Sequence, residues 1–338
     1  MKRLACLLVL LLSCCVASRA QPAGRPAPPK PRLRVILDND FSGDPDGLFA
    51  LAHLLLSPSV EVRGIIGSHL KPGDGFDPSA TQAANAAAKA TELLRVLHRP
   101  EVPLVAGANT GMPTDSTPVQ SAGVQLIIQE ALRPDPRPLY VLCGAGLTEI
   151  ASAALAEPRI TGRLTLIWIG GPEYPELALP PPGYSALEYN LAIDPAAARA
   201  VFNRTQLPLW QVPRDAYRQV LLPYATLQTQ VRPRGPLGRY LAATLDNLLG
   251  RLSQYGLNVG ETYILGDSPL VLLTALQSSF EPDPSSSEYV LRPAPLLTAQ
   301  GTYAHNPAGR PIRVYRRLDT ALLLTDFAAK LELRARQP

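Results

Sequence analysis

Short apolar segments alternate with longer segments of helical periodicity between residues 33 and 169 of the 338-residue chain. In chain order, the predicted elements are 33–37 (strand), 48–56 (helix), 60–66 (strand), 80–97 (helix), 102–105 (strand), 119–132 (helix), 138–143 (strand), 147–155 (helix) and 164–169 (strand). Such alternation favours parallel strands joined by helices, and strands without period-two polarity are typical of a sheet covered on both faces. The sequence therefore predicts an α/β fold with an open, mostly parallel, Rossmann-like sheet and helices on both faces.

The rest of the chain predicts elements arranged around that sheet. Residues 172–187 contain five prolines and no periodicity, so we expect a long loop at the carboxyl edge of the sheet, where such sheets bind ligands. Further predicted elements are a short helix at 195–203, a mainly helical region at 213–280 that is clearest at 237–252, a β-hairpin through 289–297 and 312–315, and a final helix at 319–333. With 46% hydrophobic residues, the chain can bury a sizeable core.

The first 20 residues have the pattern of an export signal. Lys2 and Arg3 precede an apolar stretch at 4–16, and small residues end the segment at Ala20. The apolar stretch is too short to span a bilayer comfortably, and the sequence has no second stretch that is long enough. We therefore expect an exported protein, periplasmic or extracellular, whose mature chain begins at Gln21.

Two alternatives to simple export stay open. One is a signal that remains uncleaved as an anchor. The other is a lipoprotein acylated at Cys14 or Cys15, which fits less well because Leu12 stands where a small residue is expected. Residues 21–32 are rich in proline and predict an extended linker, so the predicted units are the signal peptide, this linker and one folded domain at 33–338.

The net charge argues against a nucleic-acid-binding surface, and the cysteine content argues against an internal disulfide. The formal net charge is +4 for the whole chain and +1 without residues 1–20, because that segment carries Lys2, Arg3 and Arg19 and no acid. Such a balance implies no basic surface for nucleic acid. Removal of the signal leaves Cys143 as the one cysteine, so an internal disulfide is excluded, and its apolar neighbours are typical of a core residue.

The segment richest in chemistry is Asp38-Asn39-Asp40-Phe41-Ser42-Gly43-Asp44-Pro45-Asp46-Gly47, which separates the first predicted strand from the first helix. Its four carboxylates lie within nine residues and repel one another unless a positive partner is present. Carboxylate and carbonyl oxygens suit a hard cation such as Ca²⁺. The alternative is a polar loop with an aspartate helix cap. An EF-hand is excluded, because its twelfth position requires glutamate and Phe49 stands there.

This segment resembles the N-terminal signature of the inosine/uridine-preferring nucleoside hydrolases. In that signature a strand is followed by an Asp-x-Asp pair, then by a glycine turn, and then by an Asp-Asp pair at the start of a helix. Asp38 and Asp40 match the first pair, and Asp46 matches the first member of the second pair. Further segments resemble the family's later motifs in the same order: 143–151, 167–171, 188–197 and 266–270. The resemblance covers residues 33–276.

The resemblance implies a divergent nucleoside hydrolase, which cleaves the N-glycosidic bond of a nucleoside or a related glycoside with a calcium-bound water. Asp40 would be the catalytic base that activates the water. The implied calcium ligands are Asp40, Asp46, the Thr148 carbonyl and Asp267, with Asp44 as a substitute. The implied substrate contacts are Asp46, Glu188, Asn190 and His69. Family members often assemble as dimers or tetramers, so a homo-oligomer is implied as well.

Three departures from the family pattern bear on this function. Gly47 stands where the second aspartate is expected, which removes a metal ligand unless Asp44 replaces it. Gly266 replaces a histidine that would serve as an acid for the leaving base. His69 lies near a missing family asparagine and is a candidate for the site, with a structural histidine as the alternative. The alternative function is therefore a catalytically degenerate or calcium-dependent nucleoside- or sugar-binding module of the same fold.

Aromatic side chains offer candidates for stacking on a base. Tyr174, in the long loop, is the better candidate, whereas Trp168 lies inside an apolar strand and is expected in the core. His53 and His98 are expected to be structural, since each lies within or at the end of a predicted helix.

Overall fold

In a computed structural model of the chain, the described residues are 29–185, 187–278, 280 and 286–337. The predicted signal peptide at 1–20 and residues 21–28 of the predicted linker lie outside them. Residues 29–32, the end of that linker, have no regular secondary structure and lead directly into the first strand. Across the described ranges, no helix combines the length and apolar character needed to cross a bilayer.

An eight-stranded sheet forms the centre of the described chain. The described chain has twelve strands, of which eight form the large sheet and four form two small two-stranded sheets. They are β1 Leu33–Asn39, β2 Val60–Gly67, β3 Leu104–Ala106, β4 Leu139–Cys143, β5 Thr165–Ile169, β6 Leu209–Val212, β7 Leu221–Pro223, β8 Thr262–Ile264, β9 Glu288–Pro293, β10 Leu296–Leu297, β11 Tyr303–Ala304 and β12 Pro311–Arg317. The large sheet has the order β3-β2-β1-β4-β5-β6-β12-β9, and every neighbouring pair is parallel except β12 with β9. The predicted α/β fold with an open, mostly parallel sheet is confirmed.

Helices cover both faces of this sheet. They are α1 Asp46–Leu55, α2 Gln82–Leu97, α3 Ala122–Leu132, α4 Thr148–Ala156, α5 Tyr189–Ile193, α6 Pro195–Asn203, α7 Arg214–Tyr217, α8 Tyr224–Thr226, α9 Gly235–Gln254, α10 Pro269–Leu272 and α11 Thr320–Ala335. Successive residues of β1 point to opposite faces, so Val35 and Leu37 pack in one hydrophobic cluster and Ile36 packs in another. The first cluster contains side chains of α1, α2, α9 and α11, and the second contains side chains of α3, α4 and α6.

Most observed elements agree with the predicted ones, but helix α5 and the ladder of β10 with β11 were not predicted. The sequence pattern did not predict β6, because this strand has four residues and stands between Pro208 and Pro213. The region 213–280, predicted as mainly helical, also contains β7 and β8, which pair as a short antiparallel ladder. Of the hairpin predicted through 289–297 and 312–315, the pairing of β9 with β12 is confirmed, whereas residues 296–297 form β10 and pair with β11 instead.

The strand order changes direction next to β1. The chain continues from β1 through α1 to β2 on one side, whereas β4 pairs with β1 on the other side. Because α1 packs on one face of the sheet and α4 on the other, the loops that leave β1 and β4 diverge and a crevice opens between them. Open α/β sheets bind ligands at this kind of crevice, outside the carboxyl ends of the strands.

Candidate functional site

A cavity of about 180 Å³ lies in this crevice. Five carboxylates line it, and they belong to Asp40, Asp44, Asp46, Glu188 and Asp267. The other lining residues are Phe76, Gly144, Ile169, Tyr189, Asn190, Tyr217 and Gly266. No Lys, Arg or His of the described chain is among these lining residues, so the wall contains acids without a cationic side chain.

The loop after β1 brings three of these carboxylates to the cavity. The backbone N–H of Gly43 donates to the Asp40 carbonyl at 2.7 Å, which closes a tight turn directly after the strand. Asp44 Oδ1 then accepts the backbone N–H of Asp46 at 3.0 Å, where α1 begins. The side chains that the sequence grouped by spacing therefore do share one cavity.

Asp267 reaches the same cavity from a distant part of the sequence. Its backbone N–H donates to Asp46 Oδ2 at 3.0 Å, although the two residues are 221 positions apart. Its carboxylate oxygen Oδ2 accepts a hydrogen bond from Asn39 Nδ2 at 2.8 Å. The side chains of Asp40, Asp46 and Asp267 are called the cavity carboxylates below.

Burial changes the acidity of the cavity carboxylates. Removal from water, and then the charge of Asp267, raise the pKa of Asp40 well above its ordinary value. The same two causes raise the pKa of Asp46. Burial also raises the pKa of Asp267, against the hydrogen bond from Asn39, which lowers it. These three groups therefore require a compensating positive charge or retain protons.

The opposite wall of the cavity contains Glu188 and Asn190. Glu188 Oε2 accepts the backbone N–H of Gly171 at 2.8 Å, and its Oε1 accepts the Tyr217 hydroxyl at 2.9 Å. Asn190 Nδ2 donates to the carbonyl of Ile169 at 2.8 Å. Both side chains are thus fixed at the carboxyl end of β5, across the cavity from the carboxylates that follow β1.

Thr148 and His69 are not part of this lining. Thr148 is the first residue of α4, and its Oγ1 donates to Asp194 Oδ2 at 2.7 Å. His69 Nε2 is 2.9 Å from Thr148 Oγ1, and His69 Nδ1 is 2.8 Å from the carbonyl of Leu70. The structure brings these two residues to each other and not to the cavity, so their roles as calcium ligand and substrate contact stay predictions.

Two tyrosines that sequence reasoning missed add hydroxyl groups to the cavity wall. The Tyr189 hydroxyl donates to Asp74 Oδ2 at 2.9 Å. The Tyr217 ring lies beside Gly266, where a Cβ would be 3.3 Å from Tyr217 Cδ2 and 3.1 Å from Asp46 Oδ2. A histidine at position 266 would therefore compete with Tyr217 for space. Tyr217 gave no sequence signal, because its helix α7 follows the unpredicted strand β6.

Tyr174, the predicted base-stacking residue, lies in a different cavity. Its ring is 1% exposed and stacks on Tyr303 with the ring centroids 4.4 Å apart. These two tyrosines line a separate cavity of about 380 Å³ with Arg292 and His305. Trp168 is fully buried, as expected for a core residue.

One arginine holds both ends of the long loop at 172–187. Arg214 Nε and Nη2 donate to the two carboxylate oxygens of Glu173, each at 2.6 Å, and both side chains are almost fully buried. Arg214 Nη1 donates to the carbonyl of Ser185 at 2.7 Å. Because Glu188 follows three residues after Ser185, this clamp fixes the approach of the chain to the cavity.

The cavity presents the kind of oxygen donor that a hard metal ion needs. No three His, Cys, Asp or Glu side chains within the described ranges form a ready-made metal centre. The cavity carboxylates nevertheless fit a hard divalent cation in kind, because they present oxygen donors and no cationic side chain lies in the lining.

Comparisons with known proteins agree with this geometry. The family model described as inosine-uridine preferring nucleoside hydrolase matches residues 35–290. The inosine-uridine preferring nucleoside hydrolase of Crithidia fasciculata is 38% identical over 89 residues, which are 26% of this chain and 26% of that protein. The Leishmania major protein of the same description is 37% identical over 83 residues, 24% of this chain and 25% of that protein. The matched segment thus spans about a quarter of these curated relatives.

Solved structures are similar over most of the chain. A plant nucleoside hydrolase, PpNRh1, has a TM-score of 0.69 at 18% identity, covering 89% of this chain and 99% of that chain. A purine-preferring ribonucleoside hydrolase from Gardnerella vaginalis has a TM-score of 0.66 at 20% identity, covering 90% of this chain and 99% of that chain. At these identities the likeness establishes the fold.

Proposed function

The chain belongs to the inosine-uridine preferring nucleoside hydrolase family, and from this premise we propose that it hydrolyses the N-glycosidic bond of a nucleoside. The reaction consumes water and releases the base and ribose. The observation that carries the proposal is the cavity at the strand-order change, which within the described ranges is lined by five carboxylates and no cationic side chain. A related glycoside is the nearest substrate class that the same chemistry would accept.

The acidic lining suits the charge that develops in this reaction. Cleavage of a glycosidic bond proceeds through a transition state that resembles an oxocarbenium ion, in which the sugar becomes positively charged. Fixed negative groups around the sugar stabilise that charge most strongly in a water-poor site. The cavity carboxylates and Glu188 supply such groups from two walls.

Asp40 is the residue we assign as general base. It lies directly after β1, is 8% exposed, and lines the cavity. Burial raises its pKa, which makes its ionised form a stronger acceptor for the proton of an attacking water. General-base assistance of this kind contributes about 10²–10⁴ in rate.

Glu188 and Asn190 are the residues we assign to the sugar hydroxyls. The hydrogen bonds from Gly171 and Tyr217 hold the two carboxylate oxygens of Glu188 in place. Oε2 also accepts the backbone N–H of Leu191 at 3.0 Å, so the remaining acceptor capacity toward a ligand lies on Oε1. A fixed acceptor orients the sugar without a reorganisation cost during the reaction.

A divalent cation, calcium in our proposal, would be held by Asp40, Asp46 and Asp267, with Asp44 beside them. When bound, it would supply a Lewis acid that orients the water and the sugar diol and lowers the pKa of the water. The fit rests on the oxygen donors and on the lack of a compensating cation in the described lining. Export of the chain, with cleavage before Gln21, is also proposed, and N-terminal sequencing of the secreted protein tests it.

Ribose release tests the function directly. The purified chain lacking residues 1–20 is incubated with purine and pyrimidine nucleosides, with calcium or with chelator. We expect calcium-dependent release that Asp40→Asn reduces by about 10²–10⁴. Asp115→Asn, which changes a surface ion pair with Arg199 and Arg204, should leave the release intact. Calcium and nucleoside binding without release from any nucleoside would favour the degenerate binding module.

A further inference from the structure

Asn39 is the last residue of β1, and its side chain is buried beside the cavity. It is 1% exposed and lies on the opposite side of the strand from Asp38. Its Nδ2 donates to Asp267 Oδ2 at 2.8 Å. Asn39 therefore contacts one of the cavity carboxylates directly, although the sequence motif draws attention only to the aspartates on either side of it.

Two glycines leave the room that this side chain occupies. A Cβ built on Gly47 would lie 2.2 Å from Asn39 Oδ1. A Cβ built on Gly144 would lie 2.2 Å from Asn39 Nδ2 and 2.7 Å from Asp267 Oδ1. Real Cβ atoms do not approach other atoms this closely, so a side chain at position 47 would force the buried amide of Asn39 out of its present position.

Positions 39 and 47 of the acidic segment are therefore coupled through space. Gly47 stands where a second carboxylate was expected, and its missing side chain is the space that Asn39 fills. The two groups differ in charge and in hydrogen bonding. A carboxylate would bring another negative charge to Asp267, whereas the amide brings a neutral donor.

We propose that Asn39 is a positioning residue that takes the place of a carboxylate at position 47. Its amide holds Asp267 toward Asp46, and the cation site consequently has an amide where a further acid would stand. The inference rests on the proposed function for its biological meaning, but its two tests use stability and calcium binding and need no turnover. An asparagine that only satisfies a buried aspartate would not be coupled to position 47.

The steric part is tested by a double-mutant cycle between positions 39 and 47. Gly47→Ala adds one Cβ, and the overlap with Asn39 is expected to lower the melting temperature by about 2–5 °C. Gly250→Ala is the matched control, because Gly250 is also helical and its Cβ would meet nothing within 4 Å. In the Asn39→Ala background, Gly47→Ala is expected to cost much less, since the amide is gone.

The cycle has a clear opposite result. Equal melting temperatures for Gly47→Ala and Gly250→Ala, or additive effects at positions 39 and 47, would overturn the proposal. If Gly47→Ala does not fold at all, rescue of soluble protein by the added Asn39→Ala supports it, and failure of that rescue counts against it.

The electrostatic part is tested with Asn39→Asp and calcium chloride. The new carboxylate faces Asp267, so the variant should melt below the wild type in chelator and gain more from calcium. Isothermal titration calorimetry should show calcium binding at least about tenfold tighter than in the wild type, because charge count tunes calcium affinity. Binding no tighter than in the wild type would overturn this part. Lack of ribose release beside an intact cycle would remove the hydrolase proposal and leave this one standing.

Discussion

The end of β1 places acids on both of its sides, and the two sides differ in what surrounds them. On one side are the cavity carboxylates of Asp40, Asp46 and Asp267, which line an open cavity. On the other side are the buried carboxylates, defined here as those of Asp38 and Glu149, each no more than 1% exposed. The same functional group is used for different purposes within a few residues of sequence.

The buried carboxylates are satisfied by the protein itself. Asp38 accepts hydrogen bonds from the Ser68 hydroxyl and the Cys143 thiol. Glu149 Oε1 accepts the backbone N–H of Ala108 at 2.7 Å. Burial, followed by the charge of Asp38, raises the pKa of Glu149, so this pair can hold a proton and needs no ion. The difference teaches that buried acids with donors from the protein itself need no ion, whereas acids that meet a cavity need a positive partner or retain protons.

The largest expected effect is on catalytic activity, which should distinguish the cavity carboxylates from the buried carboxylates. Asp40→Asn should reduce ribose release by about 10²–10⁴ while the melting temperature in chelator holds or rises, because one repelling charge is removed. Asp38→Asn should lower the melting temperature and keep most of the activity. Parallel melting curves and initial rates make this measurement. A greater loss of activity in Asp38→Asn than in Asp40→Asn would reverse the comparison.

Calcium should stabilise the folded protein through the cavity carboxylates and not through the buried carboxylates. At a concentration of 100 times its dissociation constant, a ligand of the folded state adds about 2.7 kcal/mol, which for a domain of about 300 residues corresponds to a rise of about 4 °C in melting temperature. Asp267→Asn should abolish this rise, and Glu149→Gln should preserve it. The prediction fails if both variants respond to calcium like the wild type.

The part of the pH dependence of stability that Glu149→Gln removes should report the buried carboxylates. The pKa of Glu149 is raised above its ordinary 4.5, so between that value and its folded pKa the native state keeps a proton that the unfolded chain has lost. Stability should therefore fall as pH rises through this window, by up to about 1.4 kcal/mol per pH unit. Denaturant titrations should show a flatter slope for Glu149→Gln, with the surface variant Glu92→Gln as control. An unchanged slope in Glu149→Gln would contradict this assignment.

The smallest effect concerns Cys143. Its thiol is fully buried, and burial raises its pKa well above the ordinary value. In the chain without residues 1–20, where Cys143 is the one cysteine, a thiol reagent should react only after unfolding. Mass spectrometry detects the label, and rapid labelling of the native protein would contradict the burial of this thiol.

The fold and part of the site could be predicted from the sequence because their signals are local. The alternation of elements specified the parallel sheet, and the spacing of Asp40, Asp44 and Asp46 grouped them after one strand. Glu188 and Asp267 entered through the family resemblance, since no local pattern links positions so far apart. Strand β6 gave no pattern, because four residues between prolines carry too little periodicity.

Side-chain direction could not be predicted. Thr148 and His69 lie at the predicted edge of the sheet, but they bond to each other and the Thr148 hydroxyl also bonds to Asp194. The contact of Asn39 with Gly47 depends on the distance between a strand end and the first turn of a helix, to within a fraction of an ångström. Patterns in a sequence do not encode such distances.

The clamp formed by Arg214 determines where the long loop can tolerate changes in its sequence and length. One guanidinium holds Glu173 and the Ser185 carbonyl, so the segment between them leaves and returns at fixed points. Within that segment Leu179 is 86% exposed, so the tip is free to vary. Insertions, deletions or grafted sequences between the two anchors should therefore leave Glu188 in place, which makes the loop an exchangeable module on a constant frame.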